Sequence, residues 1–123
     1  MKPLLIATAL LSVAAVADAK PRDIPAATPI GEPVNCLQTI QIRETRVRSD
    51  SVIDFFTSGG KVYRNTLPNS CPSLGFEQRF GYTTSIPQLC NVDIITVLYA
   101  SPGLSRGASC GLGIFQPVQL AKK

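Results

Sequence analysis

The chain has 123 residues, of which 45% are hydrophobic and 16% charged, and it contains 10 prolines, 9 glycines, 4 cysteines and no histidine. This length corresponds to one domain. The charged fraction is low and the apolar fraction is ordinary, which excludes both a disordered polyelectrolyte and a coiled coil. The absence of histidine excludes Ser-His and Cys-His catalysis and histidine metal sites.

Residues 1–19 have the pattern of a secretory signal peptide. Lys2 precedes an apolar run from Leu4 to Ala17, and small residues follow in Ala17-Asp18-Ala19. Small residues at these positions admit signal peptidase, and the apolar run is shorter than the ~20 residues of a spanning helix. We therefore predict cleavage after Ala19, no transmembrane anchor, and a periplasmic or secreted product.

Residues 20–35 are predicted to form a proline-rich disordered leader. Proline removes a backbone donor and fixes φ, which disfavours helices and strand ladders. The prolines of this segment are Pro21, Pro25, Pro29 and Pro33. The leader is read either as an inert tether or as a partner-binding arm. At the other end, residues 119–123 are predicted to be a basic tail, and its Lys122-Lys123 pair supplies half of the net charge of +4.

Residues 36–118 are predicted to form a small all-β domain of about six antiparallel strands. Turn residues separate the strands, and Gly59-Gly60 is typical of a tight hairpin because glycine adopts positive φ easily. The predicted strands are 36–42, 51–57, 61–67, 76–84, 92–100 and 110–115. Because a short flat sheet leaves two open edges, we expect these strands to curl into a small barrel or sandwich.

The four cysteines form an even set on a chain predicted to be exported, which favours two disulfides. No CxxC spacing and no histidine are present, so neither a metal site nor a catalytic cysteine is expected. Four cysteines allow three pairings. We pair Cys36 with Cys110, because the first and last strands of a closed barrel are neighbours, and Cys71 with Cys90 between the two central loops.

Basic residues between the first predicted strand and the hairpin are candidate binding residues. Three arginines near a strand end, extended by Lys61 and Arg64, could fork onto phosphate or carboxylate groups of an anionic envelope component. The three arginines are Arg43, Arg46 and Arg48. The alternative is a solvated connector that nearby acids neutralise. Those acids are Glu44, Asp50 and Asp54.

The sequence assigns no catalytic residue and no cofactor. A hydrolase without histidine could use a carboxylate pair drawn from Asp54, Glu77 and Asp93, but their spacing selects no pair. Asp93 instead follows Cys90-Asn91 as a turn residue would. Arginines and aromatic rings on a small barrel are also typical of oligonucleotide-binding folds. Most of the rings have the parity of core positions, and we therefore expect no nucleic-acid partner.

Several landmarks in order resemble an uncharacterised domain-of-unknown-function family of small exported proteobacterial proteins, over residues 36 to about 118. They are Cys36-Leu37, Gly60–Asn65, Leu67 with Cys71-Pro-x-Leu74, Leu89–Asp93 and Cys110–Gly113. The resemblance implies export and a disulfide-linked β-rich domain, and it implies no catalytic residue.

The segment Ser58–Tyr63 is similar to a loop of the periplasmic inhibitors of lysozyme, which are small β-barrels that plug an acidic cleft. This similarity implies that Ser58 and Lys61 could meet catalytic carboxylates. We thus expect a monomeric, non-enzymatic binding or envelope-structural module with an unknown protein or anionic envelope component as partner. The alternative is an inhibitor of a cell-wall hydrolase that acts through the Ser58–Arg64 hairpin.

Overall fold

A computed structural model describes residues 24–100, 103 and 105–121. The strands are β1 (Ala27–Pro29), β2 (Cys36–Gln38), β3 (Ile42–Val47), β4 (Val52–Thr57), β5 (Val62–Thr66), β6 (Phe80–Tyr82), β7 (Gln88–Cys90), β8 (Ile94–Tyr99), β9 (Ser105–Gly111) and β10 (Phe115–Leu120). One short helix, α1, spans Leu74–Glu77, and 3-10 turns span Thr39–Gln41 and Ser58–Gly60. The predicted signal peptide lies outside the described residues. Within them, none of the helices has the length and apolar character needed to cross a bilayer.

All described strand pairs are antiparallel, which confirms the predicted all-β class. The strands form a five-stranded sheet in the order β1-β10-β5-β4-β3, a β2-β7 pair and a three-stranded β6-β8-β9 sheet. Of the predicted barrel or sandwich, the described strands form three sheets and no closed barrel, because the chain changes sheet where one strand was expected. The turn Thr39–Gln41 divides predicted strand 36–42, so that β2 and β3 enter different sheets.

The hydrophobic core contains side chains from both larger sheets. Alternation along β4 buries Ile53 and Phe55 on one face, while β8 contributes Ile95 and Val97. The rings of Phe55 and Phe115 meet edge to face, with their centroids 5.2 Å apart. Each such side chain stabilises the fold by about 1.5–3 kcal/mol relative to an exposed one. This same alternation turns Asp54, between Ile53 and Phe55, to the opposite face of the sheet.

Two disulfides are present, as predicted, but their predicted pairing is wrong. Cys36 is joined to Cys90 and Cys71 to Cys110. The prediction assumed that the first and last strands are neighbours. Instead β2 pairs with β7, which sets Cys36 directly opposite Cys90. Cys110 in β9 is partly buried against the core and meets Cys71 from the loop after β5.

The described parts of the predicted disordered leader and basic tail also differ from the prediction, while residues 20–23 and the Lys122-Lys123 pair lie outside the described residues. Ala27–Pro29 pairs with β10, and Gln119 and Leu120 belong to β10 itself. Proline is tolerated here because β1 is a short edge strand. Within β10, the carbonyl of Pro117 accepts a hydrogen bond from the Ile30 N–H, so its backbone faces the leader rather than β5. The β domain therefore includes residues on both sides of the predicted 36–118 boundaries.

We predict that both disulfides stabilise the fold strongly. They close loops with sequence separations of 54 and 39 residues, and the chain-entropy model gives about 4 kcal/mol for each. Replacing both cysteines of either pair with alanine should lower the free energy of unfolding by about 2–5 kcal/mol in urea titrations. The Cys71–Cys110 pair should cost more, since Cys71 is fully buried and its loss also leaves a cavity. A smaller loss for this pair than for Cys36–Cys90 would contradict the prediction.

Candidate functional site

The β4–β5 hairpin ends in a tip of four exposed residues, Ser58–Lys61, called here the hairpin tip. Gly59 and Gly60 have φ values of 84° and 82°, which glycine adopts without steric cost. At the base of the tip, the Thr57 N–H and hydroxyl both donate to the Lys61 carbonyl, at 2.8 and 3.0 Å. The predicted tight hairpin is thus confirmed, and its tip has a defined conformation.

Asp54 lies fully buried in β4, three residues before Thr57, the last residue of that strand, and two arginines neutralise it. The Arg48 Nε donates to Asp54 Oδ2 at 2.9 Å. Arg64 donates through Nε to Oδ1 at 2.8 Å and through Nη2 to Oδ2 at 3.0 Å. We call Arg48, Asp54 and Arg64 the Asp54 clamp. The two arginine side chains are each only 16% exposed, so they are committed to this carboxylate.

Burial of a carboxylate is unfavourable unless charge and hydrogen bonds compensate for lost hydration. The forked guanidinium of Arg64 matches both carboxylate oxygens, which makes this the stronger of the two contacts. The pairing is fixed by the hairpin, because Asp54 and Arg64 are register partners in β4 and β5. A hairpin centred on Gly59 already places residue 54 opposite residue 64, a signal that the sequence contained.

The Asp54 clamp also reaches the leader. Arg64 Nη2 donates to the Pro25 carbonyl at 2.9 Å, and Gln116 Nε2 donates to the Gly31 carbonyl at 2.9 Å. The Ile30 N–H donates to the Pro117 carbonyl at 3.0 Å. We call residues 25–34 the docked leader. Sequence reasoning missed its position, which depends on contacts with strands far along the chain.

The other predicted basic residues do not form one patch with the clamp. Arg46 pairs with Glu44 at 3.0 Å, and both side chains are 52% exposed. The Arg46 guanidinium carbon also lies 4.9 Å from the centroid of the Phe56 ring. Arg43 is exposed on β3, the edge strand of the sheet. Of the six predicted binding residues, Arg43, Ser58 and Lys61 are the ones without a carboxylate partner among the described residues.

Two of the three acidic residues considered for catalysis, Asp54 and Asp93, have side chains that make structural contacts. Asp54 belongs to the clamp, and Asp93 accepts the Cys90 N–H at 2.6 Å while its own N–H donates to the Cys90 carbonyl. Asp93 is therefore the turn residue that the sequence suggested. Asp50, expected to neutralise arginines, instead accepts the Gly75 N–H at 2.7 Å. Across residues 24–100, 103 and 105–121, no three side chains of the metal-binding types gather into a site.

Removal of the clamp carboxylate should destabilise the protein. We predict that Asp54→Asn lowers the free energy of unfolding by about 3–5 kcal/mol, because it leaves two partly buried guanidinium charges without their counter-charge. Glu44→Gln is the matched control, since it breaks an exposed pair worth less than about 1 kcal/mol. Urea titrations measure both changes. Equal losses in the two variants would contradict the assigned role of Asp54.

No family model matches this sequence, and no curated protein or solved structure is significantly similar to it. The resemblance to the family of exported proteins, and the similarity to lysozyme inhibitors, therefore stay predictions. Function is therefore inferred from the geometry of the hairpin tip and of the Asp54 clamp.

Proposed function

We propose that the protein is an exported, non-enzymatic binding module whose contact surface is the hairpin tip. The signal-peptide pattern of residues 1–19 supports export. The two disulfides fit an oxidising compartment outside the cytosol, where such bonds form and persist.

The observation that carries this proposal is the combination of exposure and order at the hairpin tip. All four tip residues are exposed, yet Thr57 closes the loop with two hydrogen bonds, and Asp54 and Arg64 join the two strands below it. A loop already held in one conformation loses less entropy when it binds. The tip is therefore suited to recognition of a partner.

The chemistry of the hairpin tip favours a narrow acidic cleft as its target. Lys61 carries the only charge of the tip, and no described carboxylate pairs with it. Gly59 and Gly60 leave the backbone uncovered, so a partner can approach closely, and Ser58 adds a hydroxyl. Hydrolases that cleave glycosidic bonds carry a carboxylate pair in such a cleft. The similarity of Ser58–Tyr63 to a loop of lysozyme inhibitors agrees with this target.

An anionic envelope component bound by Arg43, Arg46 and Arg48, which lie in β3 and directly after it, has less support. Such a site needs several free guanidinium groups close together. Arg48 is held by Asp54, and Arg46 is paired with Glu44. Arg43 alone would give weak and strongly salt-dependent attraction.

The proposal predicts stoichiometric inhibition of a lysozyme, measured as cell-wall lysis against inhibitor concentration. Lys61→Ala should raise the inhibition constant about tenfold or more, because it removes the cation that meets the carboxylates. Arg106→Ala is the matched control, as it removes an exposed cation from β9, which belongs to the three-stranded sheet and not to the sheet of the hairpin. It should leave inhibition unchanged. Absence of inhibition by the wild-type protein at large molar excess would discard the hydrolase target.

A further inference from the structure

Two shallow grooves flank Lys61, and the docked leader lines both. One groove of about 280 Å³ runs between the leader and β5, and the other, of about 230 Å³, lies between the tip and the end of β10. Ile30, Lys61 and Val62 line both grooves. A segment predicted to be a tether is thus placed beside the hairpin tip.

Ile30 is 58% exposed although its backbone is fixed on both sides. The preceding residue, Pro29, pairs with Val118, and the N–H of Ile30 donates to the Pro117 carbonyl. After it, the Gly31 carbonyl accepts from Gln116. Single exposed apolar side chains are common on protein surfaces, so exposure alone implies nothing. Ile30 differs because a fixed backbone holds it between two grooves and next to an unpaired cation.

We propose that Ile30 is a specificity-determining contact residue, and that it forms one binding surface with Lys61. This inference rests on the proposed function, since the same partner would occupy both positions. The surface fits a protein cleft in which a carboxylate lies beside an apolar wall. The carboxylate of the partner would pair with Lys61, and its apolar wall would pack against Ile30. An apolar anchor next to a charge that is desolvated on binding is the usual composition of an interface hot spot.

The form and charge of the grooves favour a protein partner over a small ligand. Pockets that enclose small molecules have volumes of about 300–1,000 Å³ and bury most of the ligand. Both grooves are smaller than this and open. Glu32 also lines the groove on the leader side, so a partner must offer a donor or cation there and a carboxylate at Lys61. Opposite charges lining one groove would fix the orientation of the bound partner.

The test is inhibition of lysozyme by Ile30→Ser, with Val92→Ser as the matched control. Val92 is 81% exposed in the turn before β8, so its replacement removes a similar exposed apolar side chain outside the proposed surface. Ile30→Ser should raise the inhibition constant at least about fivefold, whereas Val92→Ser should leave it unchanged. Both variants should unfold at the wild-type urea concentration, because both side chains are largely in water.

The possible outcomes separate this inference from the proposed function. If Lys61→Ala weakens inhibition and Ile30→Ser does not, the role of Ile30 is overturned while the hairpin-tip proposal stands. Equal weakening by Ile30→Ser and Val92→Ser would also overturn it, because the effect would not be specific to this surface. If the wild-type protein does not inhibit lysozyme, the hydrolase target and the Ile30 contact both fall.

Discussion

The carboxylate of Asp54 is buried in a sheet, and the surroundings of the candidate site follow from the need to neutralise it. Arg48 approaches from the end of β3 and Arg64 from β5, so the three consecutive segments of the sheet are joined at one point. The same Arg64 guanidinium holds the Pro25 carbonyl of the leader. One buried charge therefore orders both the hairpin below its tip and the chain segment beside it.

The disulfides act on a different part of the molecule. Cys36–Cys90 joins the two strands of the small β2-β7 sheet, and Cys71–Cys110 ties the loop after β5 to the three-stranded sheet through the core. Small domains bury a limited fraction of their surface, and covalent links compensate for a small core. The five-stranded sheet contains no cysteine, and ionic and hydrogen-bonded contacts take this role around the hairpin.

Local patterns predicted the parts of the fold that depend on neighbouring residues. Gly59-Gly60 fixed the β4–β5 hairpin, and the β-branched stretch of β8 was recognised as a strand. No strand was predicted over residues 105–109, because small residues and glycine disfavour strands, whereas β9 spans Ser105–Gly111. Gly107 is accommodated there because the Tyr99 ring covers it, which only the pairing of β8 with β9 produces.

The site shows the same division. Ser58 and Lys61 could be predicted from the sequence as contact residues, since a hairpin tip is exposed whichever strands the hairpin pairs with. That Asp54 pairs with Arg48 and Arg64 could be predicted only with knowledge of the strand register and of which face each side chain lies on. The docking of Ile30 depends on Gln116 and Pro117, more than eighty residues away along the chain, and no local pattern reports it.

Amide hydrogen exchange in Arg64→Lys tests most directly whether the Asp54 clamp orders the hairpin and the leader together. Lysine keeps the positive charge but lacks the fork that holds Asp54 and Pro25 at once. The account predicts that the amides of Ile30 and Thr57 exchange much faster than in the wild type, while the amide of Leu98, bonded to Arg79 in the three-stranded sheet, changes far less. Unchanged exchange at Ile30, or an equal increase at all three amides, would contradict it.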